Sequence, residues 1–288
     1  MITHSETFEQ YRHLLFSIAY RMLGSAMEAE DMVQEAYLRY QATPPESIQY
    51  PKAFLSQVIT RLCLDHLKSA KVQREQYLGP WLPEPVLTVE DEAVSQHESI
   101  SMALLVLMES LSPIERAVFL LRDVFEYSYP EIAQMVDKTE ANCRQYYHRA
   151  KQYVVEHRPR FQPSKDEQTR LIGSFMHALG SGDVNGFMAL LAEDVAMWGD
   201  GGGKASAAIH PLFGKDKVGR FLLGLMKKFP PNVSVQIREI NSLPALVMWM
   251  DGKLLLVMNF VTGEGRFHQI RTVLNPDKLR HLDQQLNP

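Results

Sequence analysis

The chain has 288 residues, 45% of them hydrophobic and 9% aromatic, enough apolar mass for about two buried cores. Its two cysteines, Cys63 and Cys143, stand far apart at apolar helical positions, which speaks against a disulfide scaffold or a cysteine metal site and for buried thiols in a reducing compartment. The net charge is −4, and residues 1–160 hold 16 Lys and Arg against 22 Asp and Glu, which excludes a protein that grips nucleic acid through bulk positive charge.

The basic residues are instead local, at Lys68, Lys71 and Arg74 and from Arg144 to Arg160. That distribution suits a protein brought to DNA by a partner. The first residues show no basic stretch followed by an apolar run. Met102–Met108 and Leu254–Met258 fall far short of the roughly 20 apolar residues that span a bilayer. A cytoplasmic location without membrane contact is expected.

In chain order, Phe8, Tyr11, Leu15, Ile18, Ala19 and Met22 keep a helical spacing that Gly24-Ser25 interrupts. A second helix runs from Glu28 to Tyr40, with Ala29, Met32, Val33, Ala36 and Tyr37 inward and Glu30, Asp31, Gln34 and Glu35 on the other side. Taken alone, such an acidic face is most simply a solvated one. Pro44-Pro45 and Pro51 bracket a loop, and the spacing then predicts a long helix over residues 52–75. Its apolar side holds Phe54, Leu55, Val58, Ile59, Leu62, Leu64 and Leu67, and its polar side Arg61, His66, Lys68, Lys71 and Arg74. Aromatics followed by bases suit single-stranded nucleic acid, although an ordinary amphipathic helix has the same pattern. Residues 76–98 form a linker, because Pro80, Pro83 and Pro85 forbid a helix. Trp81 is costly in an open linker unless it docks.

From residue 128 the signals are sharper. Ser128 and Glu131 have capping-box spacing with Pro130 in the first turn, and Ile132, Ala133, Met135 and Val136 form an apolar stripe. Asp137-Lys138 predicts a tight break with Asp in left-handed geometry. Thr139 caps the next helix, whose inward side is Cys143, Tyr146 or Tyr147, and Ala150. Outward lie Asn142, Arg144, Gln145, His148, Arg149 and Lys151, groups that fit base edges and phosphates. This is a helix-turn-helix whose second helix enters a major groove, or else a helical hairpin with a solvated basic face.

Beyond residue 163 two helices fill residues 165–193 around Gly180-Ser-Gly-Asp183, and a third lies near Val218–Lys228. Strands follow at Val233–Ile240, Ala245–Met250, Lys253–Val261 and Gly265–Val273. Helices and an antiparallel meander make an α+β cone with an internal cavity. Asp200-Gly-Gly-Gly-Lys204 is not a P-loop, since Trp198 and Ala205 stand where Gly and Ser or Thr are needed. Its glycines permit close approach or positive φ. A catalytic base would have to be Asp194, Asp200 or His210, with His268 opposite, but no phenolic donor follows Tyr153. No enzyme is expected, no cofactor is required, and no metal-ligand spacing appears.

Ala29-Glu30-Asp31-Met-Val-Gln34-Glu35, Ala53-Phe54-Leu55, Leu64-Asp65-His-Leu-Lys68-Ser-Ala-Lys71 and the stretch Ser112–Lys151, in that order, resemble regions 2 and 4 of an extracytoplasmic-function (ECF) sigma factor of the sigma-70 family. The second half is similar to the SnoaL-like, cystatin-like cone. The resemblance implies a multidomain protein: all-α region 2 over 1–75, a proline-containing linker over 76–98, all-α region 4 over 99–157 and the α+β cone over 165–288. It also implies core RNA polymerase and promoter DNA as partners. Asp31, Gln34 and Glu35 match the polymerase contact, Arg61, Asp65, Lys68 and Lys71 the minus-ten reader, and Arg144, Gln145, His148, Arg149 and Lys151 the recognition helix. Trp81-Leu82-Pro83-Glu84-Pro85, Asp200-Gly201-Gly202-Gly203-Lys204 and Asn275-Pro276-Asp277-Lys278-Leu279 match a subgroup that carries the cone as a fused regulator. The linker is expected to touch the glycine loop. The cone is expected to offer room for a small-molecule ligand, and a fused regulator to make a separate anti-sigma factor unnecessary. The rival readings are a free-standing helix-turn-helix regulator and a ligand sensor with a DNA-binding appendage.

Overall fold

The computed structural model describes residues 4–88, 101–158, 164–226 and 232–286, with the side chains of residues 70–75 outside that description. The described chain divides into two compact units, residues 4–76 with Leu104–Arg158 and residues 77–88 with Ser101–Ala103 and 164–286.

The helices of the first unit are α1 (His4–Leu23), α2 (Ala26–Ala42), α3 (Pro51–Glu75), α4 (Met102–Met108, whose first two residues group with the second unit), α5 (Pro113–Asp123), α6 (Tyr129–Val136) and α7 (Glu140–His157). Gly24 turns the chain after α1 at φ 71°, and the Ser25 hydroxyl accepts from the Glu28 amide to start α2. Most of the expected apolar faces are buried: Phe8, Leu15, Ile18 and Met22 of α1, Ala29, Val33 and Ala36 of α2, with Met32 and Tyr37 only partly so, and Leu55, Ile59 and Leu67 of α3. Cys63 and Cys143 are buried free thiols. Helix α3 also packs on α5 and α6. There Ser56 and Tyr127 share a buried hydroxyl–hydroxyl bond of 2.7 Å, and Arg116 donates to the Met22 carbonyl at 2.7 Å while pairing with Glu109 at 2.6 Å. Groups buried in this way are costly to separate, because each loses its partner.

The second unit contains α8 (Lys165–Ser181), α9 (Val184–Ala189), β1 (Leu191–Asp200), β2 (Leu212–Phe213), α10 (Lys215–Met226), β3 (Val233–Ile240), β4 (Leu243–Met250), β5 (Lys253–Gly263), β6 (Arg266–Val273) and α11 (Pro276–Leu286). Strands β3 to β6 are the expected antiparallel meander. The sheet is nevertheless mixed, in the order β2-β1-β6-β5-β4-β3, because β1 runs parallel to β6. The sequence hides β1: Glu193 and Asp194 sit together on its exposed part, and a register shift between Leu191 and Ala196 breaks its alternation. Helix α9 stops at Ala189 because Leu191 opens that strand.

One face of the sheet packs Met197, Leu246, Met248, Met258, Phe260 and Ile270 against Ile172, Phe175, Phe187 and Leu222 from the helices. The Phe175 ring lies 5.3–5.9 Å from those of Phe187, Phe260 and Phe267, which fill this part of the interior. On the other face Arg271 stands in register between Trp198 and Asn259.

Candidate promoter and polymerase surfaces and the linker dock

The helix-turn-helix forms from bonds that span only a few residues. Glu131 accepts from the Ser128 amide at 2.8 Å and hydroxyl at 2.6 Å, and these bonds hold its carboxyl below the usual range. Asp137 ends α6 in left-handed geometry at φ 53°, ψ 55°, and the Thr139 hydroxyl accepts from Asn142 to open α7. Cys143, Ala150 and Val154 face inward, while Arg144, Gln145, His148, Arg149 and Lys151 are exposed. The cations do not share one environment. Arg144 lies 4.3 Å from the Tyr129 ring and 3.5 Å from Glu140. Arg149 pairs with Glu115 at 3.0 Å, and Lys151 donates to the Tyr147 hydroxyl at 2.9 Å beside Asp123. Arg149 and Lys151 are thus directed toward α5, an arrangement that helical spacing does not reveal.

On α2, Asp31 and Gln34 are exposed, and Glu35 is half-buried in an i,i+4 pair with Arg39 at 2.9 Å. Met27 and Leu38 are exposed as well, so Met27, Asp31, Gln34 and Leu38 form one stripe at positions i, i+4, i+7 and i+11. The two apolar members escaped the sequence pattern because it assigned large hydrophobics inward. On α3, Asp65 and Lys68 are exposed and pair with each other at 2.7 Å. Arg61 donates to the Gln134 carbonyl at 2.8 Å and the Met135 carbonyl at 3.2 Å, and Gln57 donates to Gln134 as well. The guanidinium thus caps the last turn of α6 while the side chain stays exposed. The side chains of Lys71 and Arg74 lie outside the described residues.

The second unit holds a different kind of site. Asp200, at the end of β1, is fully buried. Its Oδ1 accepts the Tyr77 hydroxyl at 2.5 Å, and its Oδ2 accepts the Leu82 amide at 2.8 Å and Lys278 Nζ at 2.7 Å. Lys278 also donates to the Leu82 carbonyl at 2.5 Å and stands 4.0 Å from the Trp81 ring and 4.8 Å from the Tyr77 ring. A buried ammonium is thus met by a carboxylate, a carbonyl and two aromatic faces. Burial, followed by the Asp200 contact, pushes the Tyr77 phenol above its ordinary value. Asn275 donates to the Tyr77 oxygen at 2.9 Å, and Lys204 pairs with Asp277.

The glycine loop has a steric reason. Gly202 and Gly203 have φ of 55° and 71°. A Cβ on Gly202 would overlap the Asn275 amide and lie 2.7 Å from the Tyr77 oxygen, and one on Gly201 would overlap the Ala205 carbonyl. The linker is therefore not open: Leu82, Pro83, Glu84 and Pro85 are buried, and Trp81 is half-buried against Lys278. Farther along, Leu87 donates to Gln285 at 3.1 Å and Thr88 to the Glu239 carbonyl at 3.1 Å. Pro276 and Leu279 belong to α11, a helix the sequence reading did not include. Tyr77 and Gln285 were also missed, since neither belongs to a periodic pattern.

The residues considered for a catalytic base do not converge. Asp200 is occupied by the linker, His210 is exposed, and Asp194 is a surface carboxylate 3.5 Å from His268. Among the described residues no group of His, Cys, Asp and Glu has the arrangement of a metal site.

Residues 7–72 match Sigma-70 region 2, and residues 101–154 match Sigma-70 region 4. The chain is 35% identical over 286 residues to the ECF RNA polymerase sigma factor SigJ of Mycobacterium tuberculosis, covering 94% of this chain and 91% of that protein. It is 29% identical over 287 residues to the probable ECF RNA polymerase sigma factor SigI of the same species, covering 98% and 97%. The crystal structure of M. tuberculosis SigJ superposes with a TM-score of 0.75 at 32% identity, covering 96% of this chain and 98% of that one. The chain belongs to the ECF sigma factors of the sigma-70 family, non-enzymatic subunits that bind core RNA polymerase and direct promoter-specific initiation of transcription.

Proposed function

We propose that the cone regulates this sigma factor by holding the linker, and so sets how far its two DNA-reading parts can separate. Region 2 matches up to residue 72 and region 4 from residue 101, so residues 77–88 lie on the chain that joins them. Extended chain spans at most about 3.3–3.6 Å per residue, so these residues represent about 40 Å of reach that docking withdraws and undocking returns. The observation that carries this reading is the buried Asp200 carboxylate, both of whose oxygens accept from linker groups.

The remaining roles follow from exposure and chemistry. The α2 stripe around Asp31, Gln34 and Glu35 meets the polymerase, with Met27 and Leu38 supplying apolar contact. Asp65, Lys68 and Lys71 track the minus-ten strand, joined by Arg61 once α6 has left it. Arg144, Gln145 and His148 read the upstream element, while Arg149 and Lys151 hold phosphates. The domain assignment is region 2 over 1–75, linker over 76–98, region 4 over 99–157 and regulatory cone over 165–288. The dock takes the place of a separate anti-sigma factor. A ligand in the cone gains no support from the phenylalanine cluster packed inside it. A partnership with polymerase and DNA favours a cytoplasmic location. No described helix is long and apolar enough to cross a membrane.

Run-off transcription with core polymerase on a promoter pool tests the proposal. Trp81→Ala and Asp200→Asn are each expected to change output several-fold, with non-additive effects in the double variant because both act on one dock. Additive effects, or unchanged output from both, contradict regulation through the linker. In the same assay Arg144→Ala should cost about 1–3 kcal/mol at one upstream base position, whereas Lys151→Ala should weaken all promoters alike.

A further inference from the structure

The cone contains a second buried cation, and it lacks what Lys278 has. Arg271, in the second half of β6, is 8% exposed. Its guanidinium lies 5.0 Å from the Trp198 ring and donates through Nη2 to Gln269 Oε1 at 2.6 Å. Among the described residues no ion pair to it exists and its buried Nε has no acceptor. On the neighbouring strand Asn259, in direct register with Arg271, has its buried Nδ2 without an acceptor as well. Both side chains line one small cavity with Met102, Ala103, Leu243 and Phe260.

Among the described residues, then, two buried donors without an acceptor, one of them on a charged side chain, belong to residues that line this cavity. Burying such a charge without a counter-charge is strongly unfavourable. Burial pushes the Arg271 pKa down to about 10, which leaves the group charged at neutral pH. The cavity volume is about 10 Å³, about what one water requires. That excludes a metabolite, a phosphate or a nucleotide. We infer that the Arg271–Asn259 cavity is a binding site for a single halide-sized monovalent anion, which acts as the counter-ion of Arg271. The ion fixes Met102 and Ala103, the first residues of α4, over β5 and β6. The site is separate from the linker dock and independent of the regulatory reading.

The test is unfolding of the full chain in sodium chloride against sodium gluconate at equal ionic strength, followed by tryptophan fluorescence. Above the dissociation constant, each tenfold rise in chloride should lower the unfolded-to-folded ratio about tenfold. Arg271→Met should remove this dependence by removing the charge. Asn259→Asp should remove it by supplying an internal carboxylate, and it keeps the experiment decisive if Arg271→Met fails to fold. Crystals soaked in sodium bromide should show one anomalous peak between Arg271 Nε and Asn259 Nδ2. Equal behaviour of the wild type in both salts, an unchanged chloride slope in Asn259→Asp, or a bromide-free cavity overturns the inference, leaving a water in the site.

Discussion

The helix-turn-helix and the linker dock are both built from satisfied polar groups, yet they differ in how far apart in sequence those groups lie. Glu131 reaches Ser128 and Thr139 reaches the Asn142 amide, each across three residues. The dock joins Tyr77 and Leu82 to Asp200 across 123 and 118 residues, and Lys278 to Leu82 across 196. Local caps form with their own helix and fail singly. The dock exists only after the sheet, the glycine loop and α11 are in place, so the loss of one member leaves several buried groups unpaired.

The contrast breaks most severely at Asp200. Asp200→Leu should remove the carboxylate that Lys278, the Leu82 amide and the Tyr77 hydroxyl share and destabilise the second unit by about 3–5 kcal/mol. All three tryptophans, Trp81, Trp198 and Trp249, lie in that unit, so fluorescence in a denaturant titration reads it directly. Adding Lys278→Met should recover much of the loss, and a single-variant cost under about 1 kcal/mol contradicts a cooperative dock.

A smaller break is expected at Gly202→Ala. Left-handed strain of about 1–2 kcal/mol, added to overlap with the Asn275 amide, should release Tyr77 and expose Trp81. A red-shifted emission, with the helical unit unfolding as before, is the expected result. In the helical unit Thr139→Ala should cost about 1 kcal/mol. It should lower amide-exchange protection in the first turn of α7 and leave tryptophan emission unchanged.

The smallest effect concerns pH. Bonds from Ser128 hold Glu131 below the usual carboxylate range. A carboxyl whose folded pKa is depressed adds stability above its unfolded pKa and loses it as pH falls through the folded value. Protection of the first α6 amides should therefore decline on acidification below the carboxylate range in the wild type and stay flat in Glu131→Gln. Equal profiles would mean that the cap is not electrostatic.

The sequence showed most clearly what is local. It carried the break at Gly24-Ser25, the left-handed Asp137, the caps at Ser128 and Thr139, the meander β3–β6 and glycines at 201–203 that permit close approach or positive φ. Each follows from the geometry of one residue or from a spacing of two to four. It did not show β1, whose paired charges and bulge disturb the alternation, or α11, which begins in a motif read as a loop contact. The candidate site was only partly legible for the same reason. Three short motifs were recognisable, but nothing in them says that Asp200 becomes the common acceptor of a tyrosine, a lysine and a backbone amide.

By itself, then, the chain determined most of its helices, caps and turns, because propensity, capping and hydrophobic period act within a turn or two of chain, while its family showed only through the resemblance of whole motifs. The tertiary structure alone decided which exposed cations are spoken for: Arg61 by the α6 carbonyls, Arg149 by Glu115 and Lys151 by Tyr147 and Asp123. It alone decided that Lys278 has a counter-charge while Arg271 has none among the described residues. Pairing between charges depends on which residues folding brings within a few ångströms, and residues nearly 200 positions apart leave no mark of that on each other's local sequence.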